Sequence, residues 1–434
     1  MADLSIDFAG IRSPNPFWLA SAPPSNSGMQ VHRAFEAGWG GAVWKTIGAP
    51  VLNVSNRYGA WSYGNQKMLA INNVELISDR PLEDNLREIK EVKRAWPDRA
   101  VIVSAMVESK PDVWHDIIKK IQDTGADGIE LNYGCPHGMS ERGMGSAVGQ
   151  VPEYCEQITR WVMEVAKIPV IVKLTPNISD IVMPARAAVA AGANAISLIN
   201  TINSIVGVDL DSFEITPNIG GKGGHGGYAG PAVKPIALNM LASLGRDSIV
   251  ANSKLPISGM GGITTWRDAA EFIALGAGTV QVCTAAMTYG FKVVQEMTTG
   301  LADYMDAKGY VTIEDLRGRA IPSITDWQYL NLNYVAKAEI NQDLCIQCGR
   351  CHIVCEDTSH QAIFARVNGK RQFVVNEAEC VGCNLCTLVC PVEDCITLVH
   401  KVAGVDPRTG LDYARPPANW TTHPNNPGVA EAAE

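Results

Sequence analysis

The chain has 434 residues, 46% hydrophobic and 19% charged, a composition typical of a globular protein with one large domain and a smaller one. Its net charge of −9 argues against nucleic acid as a partner. No apolar run approaches the roughly 20 residues of a membrane span, and the N-terminus, MADLSIDFAG, lacks the segments of a signal peptide. We therefore expect a cytoplasmic protein that acts neither on nucleic acid nor in a membrane.

Eight short apolar runs alternate with helix-like stretches over the first two thirds of the chain. They are rich in Val, Ile and Leu without strict alternation, as strands buried on both faces should be. Glycine-containing segments that begin at Gly38, Gly125, Gly192 and Gly276 each precede a run and fit the position that ends a helix. Eight βα units predict an α/β fold, a (β/α)8 TIM barrel, and an open doubly wound sheet is the alternative. The runs span 17–22, 41–46, 100–107, 128–134, 169–176, 195–201, 256–263 and 279–285.

Polar residues or glycines end these runs on their C-terminal side. In a barrel that end carries the active site, so we expect these residues to surround one site. Cys135 follows the fourth run, in ELNYGCPHG, where it is either a packed small hydrophobe or a proton donor. The run ends are Ser21, Lys45, Ser104, Asn132, Lys173, Asn200, Thr201, Gly261, Gly262, Cys283 and Thr284.

The chain divides into a barrel and a smaller C-terminal module. We expect the barrel over 1–310, a linker over 311–335, the small domain over 336–402, and a tail over 403–434 that is loose or a docking arm. The connection 205–235 is long and glycine-rich, and its composition favours a structureless lid or binding loop.

Nine cysteines mark the small domain, and eight of them form C-x2-C-x2-C-x3-C twice. This doubled spacing is typical of a ferredoxin-like α+β domain with two [4Fe–4S] clusters, whereas zinc, the alternative, does not need it. Three cysteines of each run bind one cluster and the fourth reaches the other. The expected sets are Cys345, Cys348, Cys351 and Cys390 for one cluster, and Cys380, Cys383, Cys386 and Cys355 for the other.

The ninth cysteine, Cys395, is left over and is expected to be structural. Two clusters imply single-electron traffic. We therefore expect a two-electron carrier in the barrel.

The barrel motifs, joined to the doubled cysteine run, resemble the dihydropyrimidine dehydrogenases, most closely their bacterial catalytic subunits. A looser similarity is to the dihydroorotate dehydrogenases, which share an FMN barrel. The fused cluster domain favours the first family. The motifs are NPFWLASAPP, WKTIG, NNVELIS, ELNYGCPHGMSERGMGSAVGQ, VKLTPN, INT, GGYAGPAVKPIAL and MGGI.

This resemblance implies FMN at the strand ends. Ser21, Lys45 and Thr46 match flavin-contacting positions, and Lys173 matches the lysine near flavin N1 and the C2 carbonyl. A cation there stabilises the negative charge of reduced flavin. The phosphate-side positions match Gly230, Met260, Gly261, Gly262, Cys283 and Thr284.

The resemblance also implies a pyrimidine site and a catalytic thiol. Cys135 matches the cysteine that protonates C5 while hydride passes from FMN N5 to C6, and a thiol is mostly protonated at neutral pH. His137 either tunes this thiol or fixes its loop, and the segment 138–146 is expected to be a mobile lid. Tyr133 and Gly134 replace the Leu-Ser usual in animal enzymes. The substrate positions match Asn73, Asn132, Tyr133, Gly134, Asn200 and Thr201.

No G-x-G-x-x-G follows a strand in a βαβ unit, so the sequence predicts no nicotinamide or FAD domain of its own. The resemblance implies a partner subunit that carries FAD and binds NAD(P)H, with the clusters as the connection and a homodimer within a heterotetramer. The hypothesis is an enzyme that reduces uracil and thymine to 5,6-dihydropyrimidines, the first step of reductive pyrimidine degradation. The alternatives are a dihydroorotate dehydrogenase-like enzyme, a non-catalytic iron–sulfur flavoprotein electron carrier, and an enzyme acting on another cyclic amide or imide.

Overall fold

The computed structural model describes residues 2–136, 143–358, 360–368 and 370–426. Contacts between Cα atoms divide the chain into two compact units, Met1–Ser323 and Ile324–Glu434. The linker expected over 311–335 straddles this division. No helix in the described ranges is long and apolar enough to cross a membrane.

The first unit is a closed barrel of eight parallel strands in which each strand pairs with the next along the chain. This confirms the eight predicted βα units and the TIM-barrel fold. Most of the strand residues are fully buried, which explains their apolar composition without alternation. The strands are β1 Phe17–Leu19, β2 Gly41–Ile47, β3 Ala100–Ala105, β4 Gly128–Asn132, β5 Val170–Lys173, β6 Ala195–Leu198, β7 Ile257–Met260 and β8 Ala277–Val282.

One long helix follows each strand and packs its apolar stripe against the barrel. In the third helix, Trp114, Ile117, Ile118 and Ile121 are buried at helical spacing. All four predicted helix-ending glycines have positive φ, between 82° and 118°. The helices are α1 Gly28–Ala37, α2 Leu82–Ala95, α3 Pro111–Gln122, α4 Pro152–Val165, α5 Val182–Ala190, α6 Lys234–Arg246, α7 Trp266–Ala274 and α8 Val293–Lys308. Shorter helices lie at Ser146–Gly149, Ser248–Ser253, Thr284–Tyr289 and Ile313–Leu316.

A four-stranded antiparallel sheet is built from the connections that follow β2 and β6. Its order is Ile202–Ser204, Gly226–Ala229, Gln66–Asn73 and Tyr58–Tyr63. A further hairpin pairs Gly207–Val208 with Ile215–Thr216. The expectation of a structureless connection over 205–235 was therefore wrong, because its glycines permit close strand pairing: a Cβ at Gly226 would lie 2.0 Å from Asn72 Oδ1.

An N-terminal hairpin, Ile6–Phe8 with Ile11–Ser13, packs against the base of the barrel. Phe8 and Ile11 join a buried cluster with Trp18 of β1 and Ile102 of β3. Apolar side chains thus fill the barrel at the ends where its strands begin.

The second unit contains two pairs of antiparallel strands and two short helices. β9 Ala336–Ile340 pairs with β12 Ile396–His400, and β10 Ile363–Asn368 pairs with β11 Lys370–Val375. The helices are α9 Arg350–Thr358 and α10 Leu385–Val389. In the described part of the tail, 403–426, Asp406 is buried against Lys337 of β9. This part of the tail therefore packs on its own unit.

Candidate active site and cluster sites

A deep cavity opens at the C-terminal ends of the barrel strands. Its volume is about 1140 Å³ including the solvent-filled mouth. Because this volume includes the open mouth, the residues of the wall, and not the volume, indicate what the cavity can bind. The predicted residues at its wall are Ser21, Lys45, Thr46, Asn73, Asn132, Cys135, Lys173, Asn200, Thr201, Gly230, Met260, Gly261, Gly262, Cys283 and Thr284.

Two predicted substrate residues, Tyr133 and Gly134, do not line this cavity. Successive side chains of a strand point to opposite faces, so Asn132 faces inward and Tyr133 faces the surrounding helices. The Tyr133 hydroxyl hydrogen-bonds Thr159 over 3.1 Å and its ring packs edge-on against Trp114. Burial raises its pKa well above the ordinary value. This placement corrects the expectation that the Tyr133 side chain contacts a substrate.

His137 and residues 138–142 of the expected lid lie outside the described residues. The remainder of that segment leads into the short helix Ser146–Gly149. Cys135 itself is 9% exposed and packs with Ile77, Met106 and Met144. Its carbonyl accepts a hydrogen bond from Ser146 N over 3.1 Å. The thiol therefore lies at a largely apolar part of the cavity wall.

Hydroxyl and amide groups from five strand ends form one continuous network. Thr46 Oγ1 lies 3.1 Å from Ser21 Oγ and 2.9 Å from Ser104 Oγ, and it accepts from Asn132 Nδ2 over 2.9 Å. Asn132 Oδ1 in turn accepts from Asn200 Nδ2 over 2.9 Å. These bonds fix the rotamers of both amides and leave each with donor or acceptor capacity that a ligand can use.

Two buried lysines at the wall each have a carboxylate partner. Lys45 donates to Glu75, which also accepts from the Tyr58 hydroxyl, and Arg57 lies 3.7 Å from the same carboxylate. Burial and the hydrogen bond to Glu75 raise the pKa of Tyr58. Lys173 forms the second pair, with its ammonium 3.3 Å from the carboxylate of Glu130, a buried residue of β4.

One end of the cavity is a cradle of backbone atoms. Gly262 has φ +74°, and a Cβ there would lie 2.8 Å from the backbone N of Lys234 and 3.0 Å from Gly230 O. No described residue accepts a hydrogen bond from the backbone N–H of Gly261, Gly262 or Thr284. Free N–H groups and close backbone approach fit a phosphate, and barrels bind phosphate at the loops after β7 and β8.

Gln281 of β8, at the floor of the cavity, supports the binding of a flavin ring next to the phosphate cradle. Its side chain is 1% exposed, and its Oε1 is buried without a hydrogen-bond partner among the described residues. A buried orphan acceptor is costly unless a ligand donates to it, and a flavin ring carries an N–H donor. The cradle, this acceptor and Lys173 together fit FMN.

The second unit holds two smaller cavities, each lined by the four cysteines of one expected set. Each contains three cysteines of one run and the last cysteine of the other, which is the grouping that crossed ligation requires. One is lined by Cys345, Cys348, Cys351 and Cys390, and the other by Cys380, Cys383, Cys386 and Cys355. Among the described residues, no group of three or more potential ligands converges on a single metal ion. The grouping of three cysteines from one run with the last cysteine of the other fits two multi-atom clusters better than zinc.

The remaining cysteine, Cys395, also lines the first of these cavities and is 2% exposed. Its thiol donates a weak hydrogen bond to Asn341 O over 3.7 Å. Near the second cavity, Lys337 Nζ donates to Cys380 O over 2.7 Å. The loop that carries Cys380 is thereby held to β9.

Sequence reasoning did not find four of the polar residues in or below the cavity. Tyr58 and Glu75 come from the segment after β2, where no clear period marked a strand. Glu130 and Gln281 lie inside apolar runs, in GIELN and TVQV. A charged or amide side chain within a fully buried strand is itself a signal, because such groups need a buried partner.

A cavity whose wall fits FMN, at the mouth of an α/β barrel and joined in one chain to two four-cysteine sites, defines an iron–sulfur flavoprotein oxidoreductase. Comparison of the sequence with models of known protein families agrees with this class. Residues 3–305 match the dihydroorotate dehydrogenase family and residues 338–398 match a 4Fe-4S dicluster domain.

Individual relatives of known name indicate which branch of this family the chain belongs to. The chain is 41% identical over 362 residues to the NAD-dependent dihydropyrimidine dehydrogenase subunit PreA of Escherichia coli K12, covering 83% of this chain and 87% of that protein. Identity is 40% over 332 residues to the chloroplastic dihydropyrimidine dehydrogenase (NADP(+)) of Arabidopsis thaliana, covering 74% and 78%. It is 35% over 322 residues to the dihydroorotate dehydrogenase B (NAD(+)) catalytic subunit of Pyrococcus abyssi, covering 73% and 99%.

A crystal structure of the dihydroorotate dehydrogenase of Eimeria tenella in complex with ferulenol shares the fold, with a TM-score of 0.60 and 18% identity over 73% of this chain and 88% of that one. The chain belongs to the dihydropyrimidine dehydrogenase family, within the wider family of dihydroorotate dehydrogenase barrels.

Proposed function

We propose that this chain reduces uracil and thymine to their 5,6-dihydro forms. The main supporting observation is the position of Cys135 at the wall of the same cavity as three asparagine amides and the glycine-lined phosphate cradle. The names of the Escherichia coli and Arabidopsis relatives support the pyrimidine substrate class.

The amides suit the edge of a pyrimidine ring, which alternates hydrogen-bond donors and acceptors. Asn73 Nδ2 donates to Gly227 O over 3.0 Å, and its Oδ1 accepts from Glu75 N over 3.3 Å. Asn200 Oδ1 accepts from Thr201 N over 2.8 Å. Asn132 Nδ2 keeps a second hydrogen, and Asn200 keeps a second amide hydrogen and a second lone pair on Oδ1; these groups would orient the ring.

Cys135 would complete the addition across the C5–C6 double bond. FMN, when bound, supplies a hydride to C6. The Cys135 thiol gives its proton to C5 from its place in the wall, so two electrons and two hydrogens are added and the thiol regains a proton from solvent. The apolar neighbours Met106 and Met144 exclude water from the thiol.

Orotate fits this wall less well than uracil, because its carboxylate needs a cation. Among the described residues that line the cavity, the lysines are Lys45 and Lys173, and both are already paired with carboxylates. A carboxylated substrate would therefore have to compete with Glu75 or with the partner of Lys173. This favours an uncharged pyrimidine.

A partner subunit with FAD and a nicotinamide site would supply the electrons through the two clusters, within a heterotetramer built on a homodimer of this chain. The proposal rests on two observations: the chain carries two four-cysteine sites, and its Escherichia coli relative is named as a subunit of an NAD-dependent enzyme.

The test of substrate class is anaerobic. The purified chain is loaded with FMN and photoreduced, and either uracil or orotate is added while the visible absorbance of the flavin is followed. Return of oxidised flavin with uracil, together with dihydrouracil in the product, is expected. A response to orotate alone would refute the proposal. Cys135→Ala should bind FMN and uracil normally and lose most of the turnover, whereas an electron carrier would keep its throughput.

The crossed cluster ligation has its own test in paired variants. Cys345→Ser combined with Cys390→Ser affects one cluster only, so about half of the iron should remain. Cys383→Ser combined with Cys390→Ser affects both clusters, and most of the iron should be lost. The reverse pattern of iron content would show that each run binds its own cluster.

A further inference from the structure

Glu130 is a fully buried carboxylate in the lumen of the barrel. It lies on β4 two residues before Asn132, on the same inward face and one layer below the cavity wall. Its neighbours in the strand, Ile129 and Leu131, pack outward in the core between barrel and helices.

Side chains from three other strands surround this carboxylate. Glu130 Oε2 accepts from Ser197 Oγ of β6 and from Gln281 Nε2 of β8, each over 2.9 Å. Glu130 Oε1 lies 3.3 Å from the ammonium of Lys173 at the end of β5. Gln281 Nε2 also lies within 3.2 Å of Ser258 Oγ on β7. The carboxylate is thus held in one position by donors from different strands.

Lys173 and Gln281 line the cavity, whereas Glu130 does not. Glu130 therefore reaches a bound ligand only through these two residues. Both members of the Lys173–Glu130 pair are almost completely buried, so solvent screens their charges little. The charge that the cavity floor presents is consequently that of the pair and not that of a bare ammonium.

We propose that Glu130 sets the reduction potential of the flavin by compensating the charge of Lys173. This inference rests on the proposed binding of FMN. Reduced flavin carries more negative charge than oxidised flavin, so a bare ammonium beneath it would favour the reduced form. Compensation by Glu130 weakens that preference and keeps the reduced flavin a strong enough donor to reduce a pyrimidine. Glu130 is a positioning residue, because it acts through Lys173 and touches neither substrate nor cofactor.

The experiment compares wild type with Glu130→Gln, in the full chain loaded with FMN and both clusters. The flavin potential is measured by anaerobic reductive titration against reference dyes. Glu130→Gln keeps the shape and can keep the bonds from Ser197 and Gln281, but removes the charge. The ratio of reduced to oxidised flavin at a fixed potential should rise at least tenfold, about 30 mV for a two-electron couple. Ser197→Ala, which removes one bond and keeps the charge, should change this ratio much less.

A second pair of variants tests whether the effect passes through Lys173. Glu130→Gln should have no effect on the potential when Lys173→Met is already present. If Glu130→Gln fails to fold, Glu130→Asp keeps the charge but draws it back from Lys173, and a smaller shift in the same direction is expected.

An unchanged potential in a folded, FMN-loaded Glu130→Gln protein would overturn the inference. An equal shift in the Lys173→Met background would also overturn it, because Glu130 would then act without Lys173. If wild type binds no FMN, the proposed function fails before any variant is compared, so the two failures are distinguishable.

Discussion

Gly134 should be intolerant of any side chain, although it does not line the cavity. A Cβ at this position would lie 2.4 Å from Asn200 Cβ and 2.6 Å from Asn200 Nδ2. The nearest atom is the root of the side chain, so rotation of Asn200 cannot relieve the clash. To restore an ordinary contact of 3.4 Å, the Asn200 segment must move by about 1 Å. That movement strains the hydrogen bond from Asn200 to Asn132.

The magnitude of the Gly134→Ala effect follows from these two losses. Overpacking of this kind costs about 1–3 kcal/mol, and a lost buried hydrogen bond costs about 1 kcal/mol. A 1 Å misplacement of a substrate-orienting group can lower the rate about 100-fold. We therefore expect a Tm several degrees lower and a kcat/KM for uracil reduced by one to two orders of magnitude.

The assay measures dihydrouracil formation under anaerobic conditions, with FMN content and thermal unfolding measured on the same samples. Gly224→Ala is the matched control, because a Cβ at Gly224 has no heavy atom within 4 Å. Gly134→Ala combined with Asn200→Gly should recover stability without recovering activity, since the clashing Cβ is gone and the amide is lost. Wild-type stability and turnover in Gly134→Ala alone would refute the reasoning.

Three further perturbations probe other parts of the chain. Asp406→Asn leaves Lys337 with an uncompensated buried charge, so unit 324–434 should lose about 3–5 kcal/mol of stability, whereas Glu339→Gln at an exposed pair should change little in the same denaturation experiment. Gly262→Ala, at φ +74° in the cradle, should weaken FMN binding at least about tenfold in a fluorescence titration, and unchanged affinity would exclude the cradle. Burial raises the pKa of Cys155 to about 12, so the native state keeps a proton that the unfolded state loses; stability should fall as pH rises from about 9 towards 12, less steeply in Cys155→Ala.

The barrel could be predicted because its signals are local. Eight apolar runs and four helix-ending glycines needed no tertiary information, and the ends of parallel strands necessarily meet at one edge. Residues at those ends, such as Lys173 and Thr284, were therefore found. Tyr133 was assigned to the substrate site from its place in the family motif, but alternation along the chain turns its side chain away from Asn132 and towards Thr159.

The sheet formed after β2 and β6 could not be predicted, because its pairing is between segments far apart in the chain. Asn73 and Gly227 are neighbours only once Gly226–Ala229 pairs with Gln66–Asn73. Glu75 reaches the cavity wall from the end of that sheet. Non-local pairing of this kind depends on complementary close packing, and a glycine-rich sequence does not specify it by period.

The two lysine–carboxylate pairs differ in position: one carboxylate lines the cavity and the other lies beneath its floor. Glu75 lines the cavity beside Lys45, so any ligand that enters meets both charges. Glu130 lies below Lys173, so a ligand meets the ammonium while the carboxylate reduces its effect from beneath. Removal of Glu75 should therefore disturb ligand binding directly, whereas removal of Glu130 should leave uracil affinity nearly unchanged and shift the flavin potential. A buried ion pair is thus expected to act on ligand binding where its carboxylate lines the cavity, and on the flavin potential where its carboxylate lies one layer deeper in the barrel.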